Sequence, residues 1–327
     1  MTALGGTPIT PSRDERKQLN IMTRAASTST APALIAVLVA NAALAFGPLF
    51  VRLADTGPVA AAFWRIALAV PVLGGIAIAS RKPAAAATSW RIWLFVALAG
   101  VAFAADLGTW HLGILHTTMA NATLLGNSAT FLFPLWGFLV ARAWPTRMQG
   151  AALLLAAAGT ALLMGRSYQL DPRHLAGDLL CIVAGVLYAL YFILMSDVRR
   201  ALAPWLALAL SSLASLLPLL GFALILGERI IPQHWTPLIA LAIVCQLVGQ
   251  GCMIYALGRL SPLVVGLALL IQPTVAAAIG WVHFGEALGA PDFVGIAMIA
   301  AALVLVRDTR RDAKEPSAAH PVPEEKR

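Results

Sequence analysis

The sequence predicts an all-α integral membrane protein, with ten transmembrane helices arranged as two inverted five-helix repeats. Three observations carry this. The chain is 60% hydrophobic and only 12% charged, with a mean hydropathy of +0.82; soluble domains carry about twice that charge. Apolar runs of about 20 residues, the length that crosses a bilayer, recur along the chain. Two stretches in different halves of the chain also resemble one another.

The apolar runs place spans at 32–53, 57–79, 92–115, 117–141, 147–165, 175–196, 202–226, 237–257, 262–284 and 289–306. Residues 1–31 and 307–327 are rich in polar, proline and charged residues and read as disordered cytoplasmic tails. The first apolar run begins too late, and is too long, for a cleaved leader. The net charge is +8. Its basic residues punctuate the apolar runs and form no patch, so the implied partner is the lipid bilayer and not nucleic acid.

Basic residues in short loops set orientation. With the N-terminus inside, the inner loops hold Arg81, Lys82, Arg91, Arg142, Arg147, Arg199, Arg200 and Arg259, and the outer loops Arg52, Arg166, Arg173 and Arg229. The tails add only to the inner set. Both termini are therefore expected in the cytoplasm, which an even number of spans requires.

Residues 110–150 align with 255–295 without a gap. Leu112-Gly113 falls on Leu257-Gly258, Leu115 on Leu260, Trp136 on Trp281 and Gly150 on Gly295. Trp110 stands opposite Tyr255, and Asn127 opposite Gln272. A repeat of five spans (32–165, then 175–306) must enter the membrane the second time upside down. Inverted repeats enclosing a midplane site are a secondary-transporter architecture.

Four stretches carry a family resemblance: "FGPLFVRLADTGPVAAAFWRIALAVPVL" (46–73), "ADLGTWHLGILHTTMANATLLGN" (105–127), "GDLLCIVAGVLYALYFI" (177–193) and "IQPTVAAAIGWVHFGEALGAPDFVGIAMIAAALVLV" (271–306). In these the chain resembles EamA-type transporters of the drug/metabolite transporter superfamily. Trp64-Arg65 matches the family's aromatic–arginine pair, and Pro273, Gly280, Glu286 and Gly295 match the pattern of its last two spans. The first repeat departs from that pattern, with Ala141 where the second has Glu286 and Ser128 where it has Pro273. The resemblance implies ten spans, a bacterial cytoplasmic membrane and a small metabolite as substrate, exported or imported.

Two charges lie deep in apolar runs, Arg65 and Asp106. A charge near the bilayer centre costs about 2.5–3.5 kcal/mol on insertion scales and needs a partner or a cavity. Both lie roughly 12–14 Å below the outer boundary at 1.5 Å per residue, so the two are expected to meet. They form either a structural ion pair or part of a substrate site. Trp110 shares the Asp106 face at i+4, and Trp64 and Tyr255 complete a candidate aromatic lining. Gln246 and Gln250 share one face of their span, with Gly249 and Gly251 beside them admitting a close neighbour. Asn127 and Gln272 serve equally well as helix–helix bonds or as substrate ligands.

Cys181, Cys245 and Cys252 have no metal-ligand spacing, and Cys245 and Cys252 lie roughly 10 Å apart along a helix, too far to bridge. No Walker A, GxSxG, HExxH or CxxC pattern is present. The sequence thus predicts no enzyme, cofactor or metal. The expected function is secondary active transport, in the exporting direction, of a small polar metabolite such as an amino acid or derivative. A proton is the candidate coupling ion and a homodimer the candidate assembly. The alternative is a non-transporting accessory subunit or an intramembrane enzyme.

Overall fold

The computed structural model describes residues 30–80, 89–142, 144–170 and 174–285, together with most residues between 289 and 305. The expected tails, apart from their junctions with the helices, and Glu286 lie outside the described residues, as does part of the expected span 289–306. Among the described residues every element is helical. Seven helices among the described residues are long and apolar enough to cross a membrane: α1 (Ala31–Leu53), α2 (Pro58–Ala79), α3 (Trp90–Ile114), α7 (Leu175–Ala201), α8 (Pro204–Ile225), α9 (Thr236–Leu257) and α10 (Pro262–Phe284). Between α3 and α7 lie α4 (Met119–Gly126), α5 (Ala129–Ala141) and α6 (Arg147–Leu170). The expected span 117–141 is therefore two short helices, α4 and α5.

The starts follow from sequence chemistry. α2, α8, α9 and α10 each place a proline in the first helical turn, where its missing N–H costs nothing and its fixed φ suits the helix. α10 ends on Gly285 in the left-handed region, at φ 65°, a conformation that glycine adopts without penalty. α1 turns at residues 45–46 and α10 at 269–270.

Polarity is arranged inside out relative to a soluble protein. Leu217 is 80% and Ile225 85% exposed, whereas Arg65, Asn41, Gln246 and Gln250 are buried. Lipid gives helices no hydrophobic reason to associate, so small residues and polar bonds must hold them. α3 packs most extensively on α7, and α8 packs on both α2 and α3. The α3–α8 contact is close enough that a Cβ on Gly100 would fall 2.4 Å from Ala214 Cβ and 2.8 Å from the Ser211 carbonyl. Residues 54–57, 115–118 and 226–235 form one end of the bundle, called the outer end after the basic-residue count. Residues 142, 144–146, 201–203 and 258–261 form the inner end.

Candidate functional site

At the waist, α1, α2, α3, α4, α7, α9 and α10 enclose a narrow cavity of about 30 Å³, room for roughly two waters. Its lining includes Arg65, Phe103, Asp106, Trp110, Asn127, Tyr188, Gln250 and Gln272. Arg65 and Asp106 thus reach the same space, close enough for their charges to interact. In this conformation they form no ion pair. Arg65 Nε instead donates to Gln246 Oε1 at 3.1 Å, and Gln246 Nε2 donates to Ser212 Oγ at 3.1 Å. No hydrogen bond reaches the Asp106 carboxylate from the described residues. One amide bond across membrane helices returns about 0.6–1.7 kcal/mol, against about 2.5–3.5 kcal/mol for the buried charge. Gln246 therefore compensates Arg65 only in part.

The two glutamines of α9 part company. Residues 241–250 wind as a π-helix, a rare form that concentrates at functional sites. Gln246 meets α2 and α8, while Gln250 accepts from Tyr188 Oη of α7 at 3.3 Å. Gln250 Nε2 is buried without a partner. Buried donors are nearly always bonded, so this one, in a cavity-lining residue, is available to a ligand or a water. Gly249 faces Leu44 and Gly251 faces Trp205 at the close approach their lack of Cβ allows.

Asn127 and Gln272 line the cavity but already serve the scaffold. The carbonyl of Leu269 would accept from residue 273 in a continuous helix, but Pro273 has no N–H. Asn127 Nδ2 reaches across from the α4–α5 break and donates to that carbonyl at 3.3 Å. Gln272 Nε2 donates to Asn41 Oδ1 at 2.8 Å, and Asn41 Nδ2 donates to the Val37 carbonyl at 2.6 Å. Trp110 Nε1 donates to the Ala122 carbonyl at 2.8 Å. Its indole fits between two glycines: a Cβ on Gly126 would lie 2.7 Å from Nε1, and one on Gly47 2.9 Å from the ring.

Trp64 and Tyr255 do not line the cavity. Neighbouring helical residues point about a quarter-turn apart or more, so Trp64 cannot share the face of Arg65. Its Nε1 donates to the Ile230 carbonyl at 2.7 Å, and its ring meets Trp235 edge-on at 4.9 Å. Tyr255 lies toward the inner end, with the Arg259 guanidinium stacked on its ring at 3.8 Å. The repeat pairing of Tyr255 with Trp110 carries no shared position at the cavity. Asn41, Ser212 and Tyr188 escaped the sequence reading; a lone amide in an apolar run, as Asn41 is, was the one visible signal.

A multi-span helical membrane protein with charged and polar groups converging on a waist cavity is the class that fold and site define. The model of the EamA-like transporter family matches residues 31–165 and 175–307, and the chain belongs to that family of membrane transporters. A protein named "Uncharacterized transporter" from Archaeoglobus fulgidus is 26% identical over 248 residues, covering 74% of this chain and 84% of its own. A solved crystal structure is similar with a TM-score of 0.63 at 18% identity, over 86% of this chain and 98% of that one; that likeness concerns the fold alone.

Proposed function

We propose that the protein is a secondary active exporter of a small zwitterionic metabolite, an amino acid or derivative, working by alternating access in a bacterial inner membrane. One observation carries this reading. A cation and a carboxylate reach the same buried cavity without neutralising each other, beside an unpartnered amide donor. Arg65 takes the ligand's carboxylate through its planar fork. Asp106 takes the ammonium group, with the Trp110 and Tyr188 rings beside it. Such a ligand restores charge compensation at both groups, offsetting desolvation in the loaded state. The cavity is too small for a metabolite in this conformation, so loading requires the helices to part, and the breaks in α10 and between α4 and α5 are the places to bend. The reading retains ten spans in two inverted repeats, supported by the two successive family matches. It also retains cytoplasmic termini and a proton as coupling ion, with Asp106 the acid in the cavity lining.

Counterflow of labelled amino acids into proteoliposomes is the test. Asp106→Asn is expected to reduce transport per reconstituted protein by about tenfold or more, the loss of one contact to a charged group, while folded yield stays near wild type. Arg65→Lys keeps the charge but loses the fork and is expected to transport weakly. Undiminished transport in Asp106→Asn would remove the direct role. Absence of counterflow across the wild-type panel would favour an accessory subunit.

A further inference from the structure

A second, larger cavity of about 420 Å³ opens at the inner end, between α5, the end of α7 and the α9–α10 turn. Arg199, Arg200 and Arg259 line it, with Ser196, Ser261 and the Trp136 ring, and no acidic residue is among its lining. Arg200 is held by Asp197 at 3.0 Å on the exposed side. Among the described residues the other two arginines have no carboxylate within ion-pair distance. Arg199 Nε donates to the Ile254 carbonyl at 3.0 Å and its Nη1 to the Leu202 carbonyl. Arg259 Nη1 donates to the Tyr255 carbonyl at 3.1 Å. These carbonyls lie at the ends of α7 and α9, and a helix C-terminus offers only about half an elementary charge. Two like charges thus act on each other across one cavity, Arg199 half-buried and Arg259 exposed, with guanidinium N–H groups to spare, since each fork has five.

We propose that this vestibule is an oxyanion site that binds a phosphate group, with Arg199 and Arg259 as its ligands. The Arg199 guanidinium is fixed by its two carbonyls and pressed against Gly258, where a Cβ would lie 2.6 Å from Nη2. Arg259 is fixed by stacking on Tyr255. Both forks are thus preorganised, which lowers the ordering cost of binding. A basic pocket between helices at a membrane face receives lipid headgroup phosphates by the same chemistry that receives free phosphate. The site is separate from the waist cavity, and its occupancy does not depend on what the transporter carries.

Full-length protein in phosphatidylcholine nanodiscs provides the test, read by thermal unfolding in two arms. One arm adds inorganic phosphate against sodium chloride of equal ionic strength; the other replaces part of the lipid with phosphatidylglycerol. Wild type is expected to be stabilised in at least one arm. A response to inorganic phosphate identifies an open anion site, and a response to phosphatidylglycerol alone a headgroup site. Arg259→Gln is expected to weaken the half-saturating concentration by about tenfold, the loss of one charge-assisted contact, and Arg259→Lys by less. Arg259 carries the mutational test because Arg199→Gln would also remove two helix-end bonds. No stabilisation of wild type in either arm, or an unchanged response in Arg259→Gln, overturns the proposal.

Discussion

The two ends of this bundle are built on opposite principles. At the outer end the 226–235 loop is stitched to the start of α2. The Glu228 carboxylate accepts from the Val59 and Ala60 N–H groups at 3.2 and 2.7 Å, and Gly57 N–H donates to the Arg229 carbonyl at 3.1 Å. Asp55 accepts from the Gln233 and His234 backbones, and the Trp64 indole closes onto Ile230. A negative side chain on a helix N-terminus satisfies orphan donors and meets the helix dipole. The inner end has instead the roomy, basic vestibule. The contrast teaches that this conformation is shut on one side by directional bonds between loops distant in sequence, while space is left on the other.

The waist offers the largest perturbation and a control for that contrast. Gly100→Leu drives a side chain into the Ser211 backbone, which cannot yield as a flexible side chain would. A loss of about 3 kcal/mol is expected, at the upper end for overpacking, seen as a fall in folded yield and melting temperature. An unchanged melting temperature would mean that α3 and α8 separate freely.

Glu228→Ala tests the stitching itself. Losing both bonds at a helix start costs about 1–2 kcal/mol, a five- to thirtyfold shift toward an opened outer end. A cysteine at the cavity-lining Leu107, in a background without native cysteines, is then expected to react faster with an impermeant maleimide applied from outside. An unchanged rate would show that these loops do not close the outer end.

The smallest effect belongs to Asp55. Some desolvation pushes its carboxyl up, but hydrogen bonds from the Gln233 N–H and from the His234 ring and N–H outweigh it. They hold the group below the usual carboxylate range. A depressed folded value means that the stabilisation is present above the unfolded value, about 3.9, and fades as pH falls through the folded one. The same labelling rate, taken relative to that of a fully exposed cysteine because the reactive thiolate fraction falls with pH, is expected to show a slight rise below about pH 4, absent in Asp55→Asn. A rise that persists in Asp55→Asn would assign the effect to another group.

The helices themselves were largely legible. Proline-led starts and apolar length place α2 at Pro58–Ala79 and α10 at Pro262–Phe284, against expected spans of 57–79 and 262–284. The family was legible too, because its motifs are local. Part of the cavity was legible: Asp106 and Trp110, four residues apart on one face, both line it, as do Arg65, Asn127, Gln250 and Gln272, whereas Gln246 does not, because the π-helical winding of 241–250 takes it off the face of Gln250. Trp64, beside Arg65 in the chain, is not among the cavity's lining, because neighbouring helical residues point to different sides.

The sequence by itself determined a membrane-embedded helical chain, the limits of several of its spans and which two charges are buried among them, because bilayer thickness and the cost of buried charge act on each segment separately. Tertiary structure alone decided what those charges touch. Arg65 meets Gln246, 181 positions away, and the Leu269 carbonyl, which Pro273 cannot serve and which accepts from the Gln272 N–H, is met as well by Asn127 from another helix. Such bonds depend on how helices rotate about their own axes, and that rotation is set by close packing among all of them at once.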